Sequence, residues 1–439
     1  MADFRSLRVA ACCVALALVA ACSSGGGAGE TSGDTSGGQL TVWFPGTDPA
    51  ESALVKDSLV PQFEKSTGAK VDVTYVDYAN LSNKLAAAFA AGTAPDVFGH
   101  GPAAVADLVV NDRLEPLQAD VDAMSQADRD DLAAALPGGQ VDGKQYLMPL
   151  QMQGWVLAYN KDDFKAAGLD PENPPSTWEQ LREDAKKLTV RDGSGKITRS
   201  GLLLATDPIG REQSFATLIA SAGGSLIDTS AKTASFDSPQ GQKALDYYVS
   251  LFNGPDAVAT GLGTSFSANP PAQQPLVLGT ASITLLAANG VQKVVKAYPG
   301  KHIGIIPPLK FEGADHGAAF GGAGPGLMIN ADSKAKELGW KFIDFMVGKD
   351  VNSQYVQSFG GIPVRGSAAS SAYVTSSPVL TAVVKAAPEF VPNPNVAGWV
   401  QARDKMDANL EVALNRKASP QDVLKSMASD VNDVLKKSQ

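Results

Sequence analysis

The chain has 439 residues and a formal net charge of −9, with 44% hydrophobic and 19% charged residues. That is the profile of an acidic globular protein long enough for two or three domains. The acidic balance, with no Lys/Arg cluster to override it, argues against nucleic acid as a partner, because phosphate binding needs concentrated positive charge.

Cysteine occurs only at Cys12, Cys13 and Cys22, and histidine only at His100, His302 and His316. The body therefore has no disulfide framework, no thiol nucleophile and no zinc-type spacing. No metal and no cofactor is expected. At the start, Arg5 and Arg8 precede the apolar run VAACCVALALVAA, residues 9–21. It is too short to span a bilayer, which takes about 20 apolar residues, and it fits the core of an export signal. Leu18-Val19-Ala20-Ala21-Cys22 resembles the bacterial lipobox, in which the cysteine is acylated and becomes the new N-terminus. A plain secretory signal with a chance cysteine is the alternative. SSGGGAGETSGDTSGG, residues 23–38, has the composition of a flexible linker. The expectation is a signal peptide over 1–21, a lipidated Cys22 with its linker over 22–38, and a body held at the outer face of the cell membrane by its lipid. One decoy follows: Gly138 to Lys144 has GxxxxGK spacing, but Gln145 stands where a P-loop needs Ser or Thr.

The body opens with QLTVWFPG, residues 39–46, whose alternation predicts a strand. A helix is predicted over 51–66, interrupted at Pro61. A strand over 71–76, a helix over 80–91 stopped by Gly92, and a short strand at 96–98 complete a strand–helix–strand–helix–strand run. That order implies a parallel sheet with right-handed crossovers. Open parallel sheets bind ligands at the carboxyl ends of their strands, here Pro45–Asp48, Asp77–Tyr78 and Gly99–Gly101. A second α/β series follows: strands at 155–160, 201–205, 281–286, 303–308 and 326–330, and helices at 177–188, 240–252 and 335–347. Two more helices fill 402–437, with Val423, Met427, Val431 and Leu435 four residues apart.

Several segments, in order, are similar to the extracellular solute-binding proteins of ABC importers, the sugar-binding group that includes maltose-binding protein. They include FEKSTGAKVDVTY, KLAAAFAAGTAPDVF, the YLMPLQMQGWVLAYNKDDF stretch, FDSPQGQKALDYYVSL, FGGAGPGLMIN, the WKFIDFMVGKDVNSQYVQSFGGIPVR block and PNPNVAGWVQ. The resemblance spans roughly residues 39–437. It implies an α/β, two-lobed periplasmic-binding-protein-like (type II) fold with a hinge and an interlobe cleft. The expected lobes are 39–151 with 325–366, and 152–324 with 367–439. Chain crossings are expected near Gln151–Trp155, Phe320–Pro325 and Gly360–Ser377. It also implies a monomer without catalysis that holds a sugar and delivers it to permease subunits in the membrane.

A sugar site needs polar groups for hydroxyl edges and aromatic rings for C–H faces. By resemblance, Gln153 matches a sugar-contacting position that carries a carboxylate in maltose-binding protein, with Gln151 close by and Trp155 as platform or core. Gln213 and Asn289 match site positions, but the aromatic platforms expected near them are missing, which points to a smaller or more polar solute than a maltodextrin. Trp399 matches a stacking position; a capped core tryptophan is the alternative. Gly321 and Gly322 allow close backbone approach. Arg365 suits a hydroxyl or the phosphate of a glycerophosphodiester, with an ion pair as the alternative. Asp48, Tyr78, Asp96 and His100 come from the strand ends, Asp96 alternatively as a helix cap. Two rivals stay open: an exported glycoside hydrolase using two facing carboxylates, and a sensor lipoprotein that signals to a receptor.

Overall fold

The computed structural model describes residues 38–438; the expected signal peptide, Cys22 and the linker as far as residue 37 lie outside them. The first strand, β1 (Gln39–Pro45), buries Leu40, Val42 and Phe44, as its alternation requires. The predicted helix over 51–66 is instead α1 (Pro49–Leu54), a wider π turn at Val55–Leu59, and α2 (Val60–Thr67). The break comes one turn ahead of Pro61. A proline there has no N–H to bond back to Asp57, and the π turn absorbs the loss.

β2 (Lys70–Val76) and β3 (Val97–His100) flank β1 in parallel. Between them α3 (Tyr78–Ala91) buries Leu81, Leu85 and Ala88, and Gly92 ends it at φ +67°, a conformation cheap only for glycine. β4 (Met148–Pro149) is the last strand before the chain moves to a second sheet through β5 (Met152–Asn160). There α4 (Trp178–Leu188) is capped by Thr177, whose hydroxyl accepts from the Gln180 N–H at 3.2 Å. α5 (Gly210–Ser221), α6 (Pro239–Phe252), β6 (Ile283–Ala287), α7 (Ala288–Ala297) and β7 (Ile303–Ile306) follow.

The expected strand over 201–205 does not form a ladder. It touches β6 only through isolated bridges at Ser200–Ala281 and Leu203–Thr284, so burial alone accounts for its apolar run. β8 (Ala319–Ala323) and β9 (Gly326–Ile329) carry the chain back. The remaining elements used below are α8 (Lys336–Val347), β10 (Phe390–Val391), α9 (Trp399–Leu414) and α10 (Pro420–Lys437).

The first sheet runs β2-β1-β3-β9-β4, with β9 antiparallel to both neighbours; the second runs β6-β5-β8-β10, with β7 also paired to β5. The chain passes between sheets at Pro149–Met152 and at Ala323–Gly326. A third passage follows Gly360: Ile362 still bridges Met152, whereas the helix Pro378–Ala386 packs on α7. Behind the first sheet, Phe44, Tyr75, Phe63 and Phe342 form an aromatic core with ring centroids 5.2–6.4 Å apart.

Candidate functional site

A cleft of about 560 Å³ opens where the two sheets meet. One wall comes from the first sheet, through the start of α3 and the loop after β3. The other comes from β5, the start of α5, the β6–α7 junction and α9. Of the residues singled out from sequence, Tyr78, His100, Gln151, Gln153, Trp155, Gln213 and Asn289 line it.

The strand period explains the β5 contribution, since Gln151, Gln153 and Trp155 lie two apart and share a face. The side-chain amides of Gln151, Gln153 and Gln213 make no hydrogen bond among the described residues. Asn289 accepts from the Gly290 N–H at 2.8 Å through its Oδ1, leaving its amide donors uncommitted. Trp155 forms cleft floor with 8% of its surface exposed, and its other side faces an apolar chamber of about 280 Å³ behind β5.

His100 ends β3. Its Nδ1 accepts from the Gly101 N–H at 2.8 Å, so the neutral ring carries its proton on Nε2, which donates to Ser82 Oγ at 3.1 Å. Burial, with the positive charge of Arg403 nearby, lowers its pKa to about 4, so the ring is neutral at physiological pH. Tyr78 stands edge-on to it, ring centroids 6.5 Å apart. Tyr78 is exposed, with 46% of its surface open, and lines the cleft.

Other expected site residues do not line the cleft. Asp48 caps α1, accepting from the Ala50 and Glu51 N–H groups at 3.0 and 3.2 Å, and pairs with Lys293 of α7 at 2.8 Å. Burial pulls its carboxyl up, but Lys293 and the two N–H groups outweigh that and hold it below the usual range. Asp96 accepts from the Thr41 N–H and hydroxyl at 2.9 and 2.7 Å and from Ser333 at 2.7 Å, tying β1 to the segment after β9.

Gly321 and Gly322 make room for chain, not ligand. A Cβ on Gly321 would stand 2.6 Å from the Phe390 ring, and Gly322, at φ +121°, abuts Pro392. Arg365 is 7% exposed and already satisfied by the Val347 carbonyl at 2.8 Å and by Asp128 and Asp131 at 2.7 and 3.2 Å. Trp399 is fully buried, and its indole N–H donates to Asn393 at 3.3 Å. The capped core tryptophan is therefore the correct reading of that position.

Sequence reasoning missed Ser82, Ile209, Asn393, Val400 and Arg403. Two carried a signal. Val400 and Arg403 lie one and four residues beyond Trp399, so a helix starting there carries Arg403 one turn along the Trp399 face, with Val400 on its flank. Ile209 had none: only the structure shows a β-branched residue at φ +68° immediately before α5.

Among the described residues lining the cleft there is no Asp or Glu. Glycoside hydrolysis by the usual route uses two facing carboxylates. Among the described residues no group of three or more potential metal ligands occurs, and no helix is long and apolar enough to cross a membrane.

The comparisons agree with this architecture. Residues 46–353 match the family model of the bacterial extracellular solute-binding proteins. The sn-glycerol-3-phosphate-binding periplasmic protein UgpB of Pectobacterium atrosepticum is 24% identical, over 98% of this chain and 96% of its own length. Two solved structures share the two-lobed fold. The cyclic alpha-maltosyl-1,6-maltose binding protein of Arthrobacter globiformis is 24% identical, with TM-score 0.76 over 91% of this chain and 99% of its own. The sugar-binding protein MalE of Xanthomonas citri is 22% identical, with TM-score 0.77 over 91% and 98%. The hydrolase reading falls with the family match, and the chain belongs to the bacterial extracellular solute-binding proteins, which bind rather than catalyse.

Proposed function

We propose that this chain is the capture component of an ABC importer, holding a hydroxylated solute of the carbohydrate class in its cleft and passing it unchanged to a membrane permease. One observation carries the reading: Gln151, Gln153 and Gln213 bring amides without partners to one cleft, beside Tyr78, His100, Trp155 and Asn289. Amides donate and accept, as a hydroxyl does, and the aromatic groups offer faces for C–H surfaces. In this reading the lobes are 39–151 with 325–366, and 152–324 with 367–439. Solute contacts from both lobes favour the closed form only by their difference in affinity for the two shapes. Cys22 supplies the lipid anchor at the outer face of the membrane, and the linker gives the monomeric body reach.

A second reading, a phosphorylated polyol or glycerophosphodiester, is favoured by the Pectobacterium relative, which is named for sn-glycerol 3-phosphate. Arg365 does not serve it, being neutralised by Asp128 and Asp131. The test is a thermal-shift screen over neutral and phosphorylated saccharides and polyols. A ligand at 100 times its Kd adds about 2.7 kcal/mol of stability. That shift should vanish in both Gln153→Ala and Gln213→Ala without a change in the unliganded melting point. A screen with no responding compound, or a shift that survives both substitutions, ends the proposal.

A further inference from the structure

The cleft is electrostatically one-sided in a protein whose net charge is −9. Among the described residues lining it, Arg403 alone carries a formal charge at neutral pH, since the His100 ring is neutral. Every other heavily buried arginine is answered by the protein. Arg211 bonds the Thr206 and Asp407 carbonyls and Glu411. Arg365 bonds the Val347 carbonyl, Asp128 and Asp131.

Arg403 differs. Its side chain is 17% exposed, its Nε is buried without a partner, and it makes no hydrogen bond among the described residues. The nearest carboxylate, on the adjacent Asp404, is 3.9 Å from Nη2 and itself 71% exposed. Asp407, one turn along α9, is turned to Arg211 at 3.5 Å. Glu212 lies buried next to Gln213 with both carboxyl oxygens unpartnered. Neither Glu212 oxygen reaches Arg403 in a hydrogen bond. A guanidinium removed from water without a partner is costly unless something arrives to pair with it.

We infer that the solute carries an anionic group, a phosphate ester or a carboxylate, seated on Arg403 while its hydroxyls meet the amides of Gln151, Gln153 and Gln213. This rests on the proposed capture of a hydroxylated solute in the same cleft and narrows its class. The guanidinium fork matches either anion in bidentate fashion.

The test is calorimetric titration of the purified protein with matched pairs: glycerol 3-phosphate against glycerol, glucose 6-phosphate against glucose, and glucuronate against glucose. The phosphate and carboxylate arms separate the two sources of charge. At least one anionic member should bind ten times or more tightly than its neutral parent. Arg403→Gln should weaken that member by roughly 10- to 100-fold, the usual worth of a charged hydrogen-bonded contact. Arg403→Lys should recover part of the loss. The unliganded melting point of Arg403→Gln should be unchanged or higher, because an uncompensated charge has been removed; a purely structural arginine would lower it. Glucose or glycerol binding as tightly as its anionic form, equally in wild type and Arg403→Gln, would overturn the inference while leaving solute capture intact. Anionic binding indifferent to Arg403→Gln would overturn it as well, as would no anionic member binding at all.

Discussion

Glu212 shows how one buried side chain sets a pH response. It is fully buried in α5, and burial raises its carboxyl from 4.5 to about 8, Arg403 opposing and Asp407 adding to the effect. The folded chain keeps a proton that the unfolded chain sheds above 4.5, so the stability this group contributes is complete below 4.5 and is lost as pH rises through 8. Glu51, raised to about 7 by burial although Tyr355 donates to it at 2.8 Å, acts in the same direction. His100 acts oppositely: its neutral folded form loses ground to the protonated unfolded chain as pH falls from 6.5 toward 4. In Glu212→Gln the fall in urea midpoint between about pH 5 and 8 should be shallower than in the parent. Parallel slopes in the two proteins would remove Glu212 from that role.

At the scale of elements, the turn into α5 is where backbone and cleft meet. Ile209 precedes the helix at φ +68°, 44% exposed, and lines the cleft. With ψ −52° this is the rare, strained classic γ-turn conformation, and such strain, on the order of 1–3 kcal/mol, gathers where a site demands a particular backbone. Glycine, without a Cβ, takes up positive φ at little steric cost. Ile209→Gly should therefore raise stability by about 1 kcal/mol in urea unfolding, while weakening solute binding by removing an apolar cleft contact. A lower urea midpoint in the variant would show that the Ile209 side chain contributes more than its backbone costs. The crossing strand β5 illustrates the complementary case, where a regular element does the positioning. Its pairing to β8 through Gly154–Gly321 and Gln153–Gly322 leaves a floor thin enough for Phe390 to fill from behind.

At the scale of the molecule, a few polar contacts link distant parts of the chain away from the cleft lining. Asp48 at the start of α1 meets Lys293 on α7 at 2.8 Å; Asp107 accepts from the Gly398 N–H at the start of α9, and Asn395 donates to the Gln140 carbonyl. In the proposed lobe division each joins one lobe to the other. Lys293 is 43% exposed and Asp48 23%, so their pair is worth about 0.2–1 kcal/mol after solvent screening. Lys293→Ala should shift the population toward the open form and raise the solute Kd by no more than about fivefold, with a larger radius of gyration in unliganded solution scattering. An unchanged radius and Kd would mean the pair does not hold the lobes.

Much of this protein was legible before any coordinates. The alternation in residues 39–46, the four-residue stripes of α3 and α10, the cap at Thr177 and the stop at Gly92 are local, and local sterics and hydrogen bonding decide them. The strand ends then singled out Tyr78 and His100, and the ordered resemblance Gln151, Gln153, Trp155, Gln213 and Asn289, all of which the structure brings to one cleft. What stayed hidden is relational. Arg365 and Arg403 are the same residue type in equally plausible stretches. Only tertiary structure gives Arg365 the carboxylates of Asp128 and Asp131, more than 230 positions away, and gives Arg403 none that hydrogen-bonds to it. Trp399 and Arg403 likewise stand one turn apart on one helix face, and only packing buries the first in the core and leaves the second at the cleft. Sequence by itself determined most of the elements, though not the fate of 201–205 or the π turn at Val55–Leu59, and the family to which the chain belongs, because those depend on neighbours along the chain. The availability of a charge to a solute depends on which distant groups have already claimed it, and that only the folded chain decides.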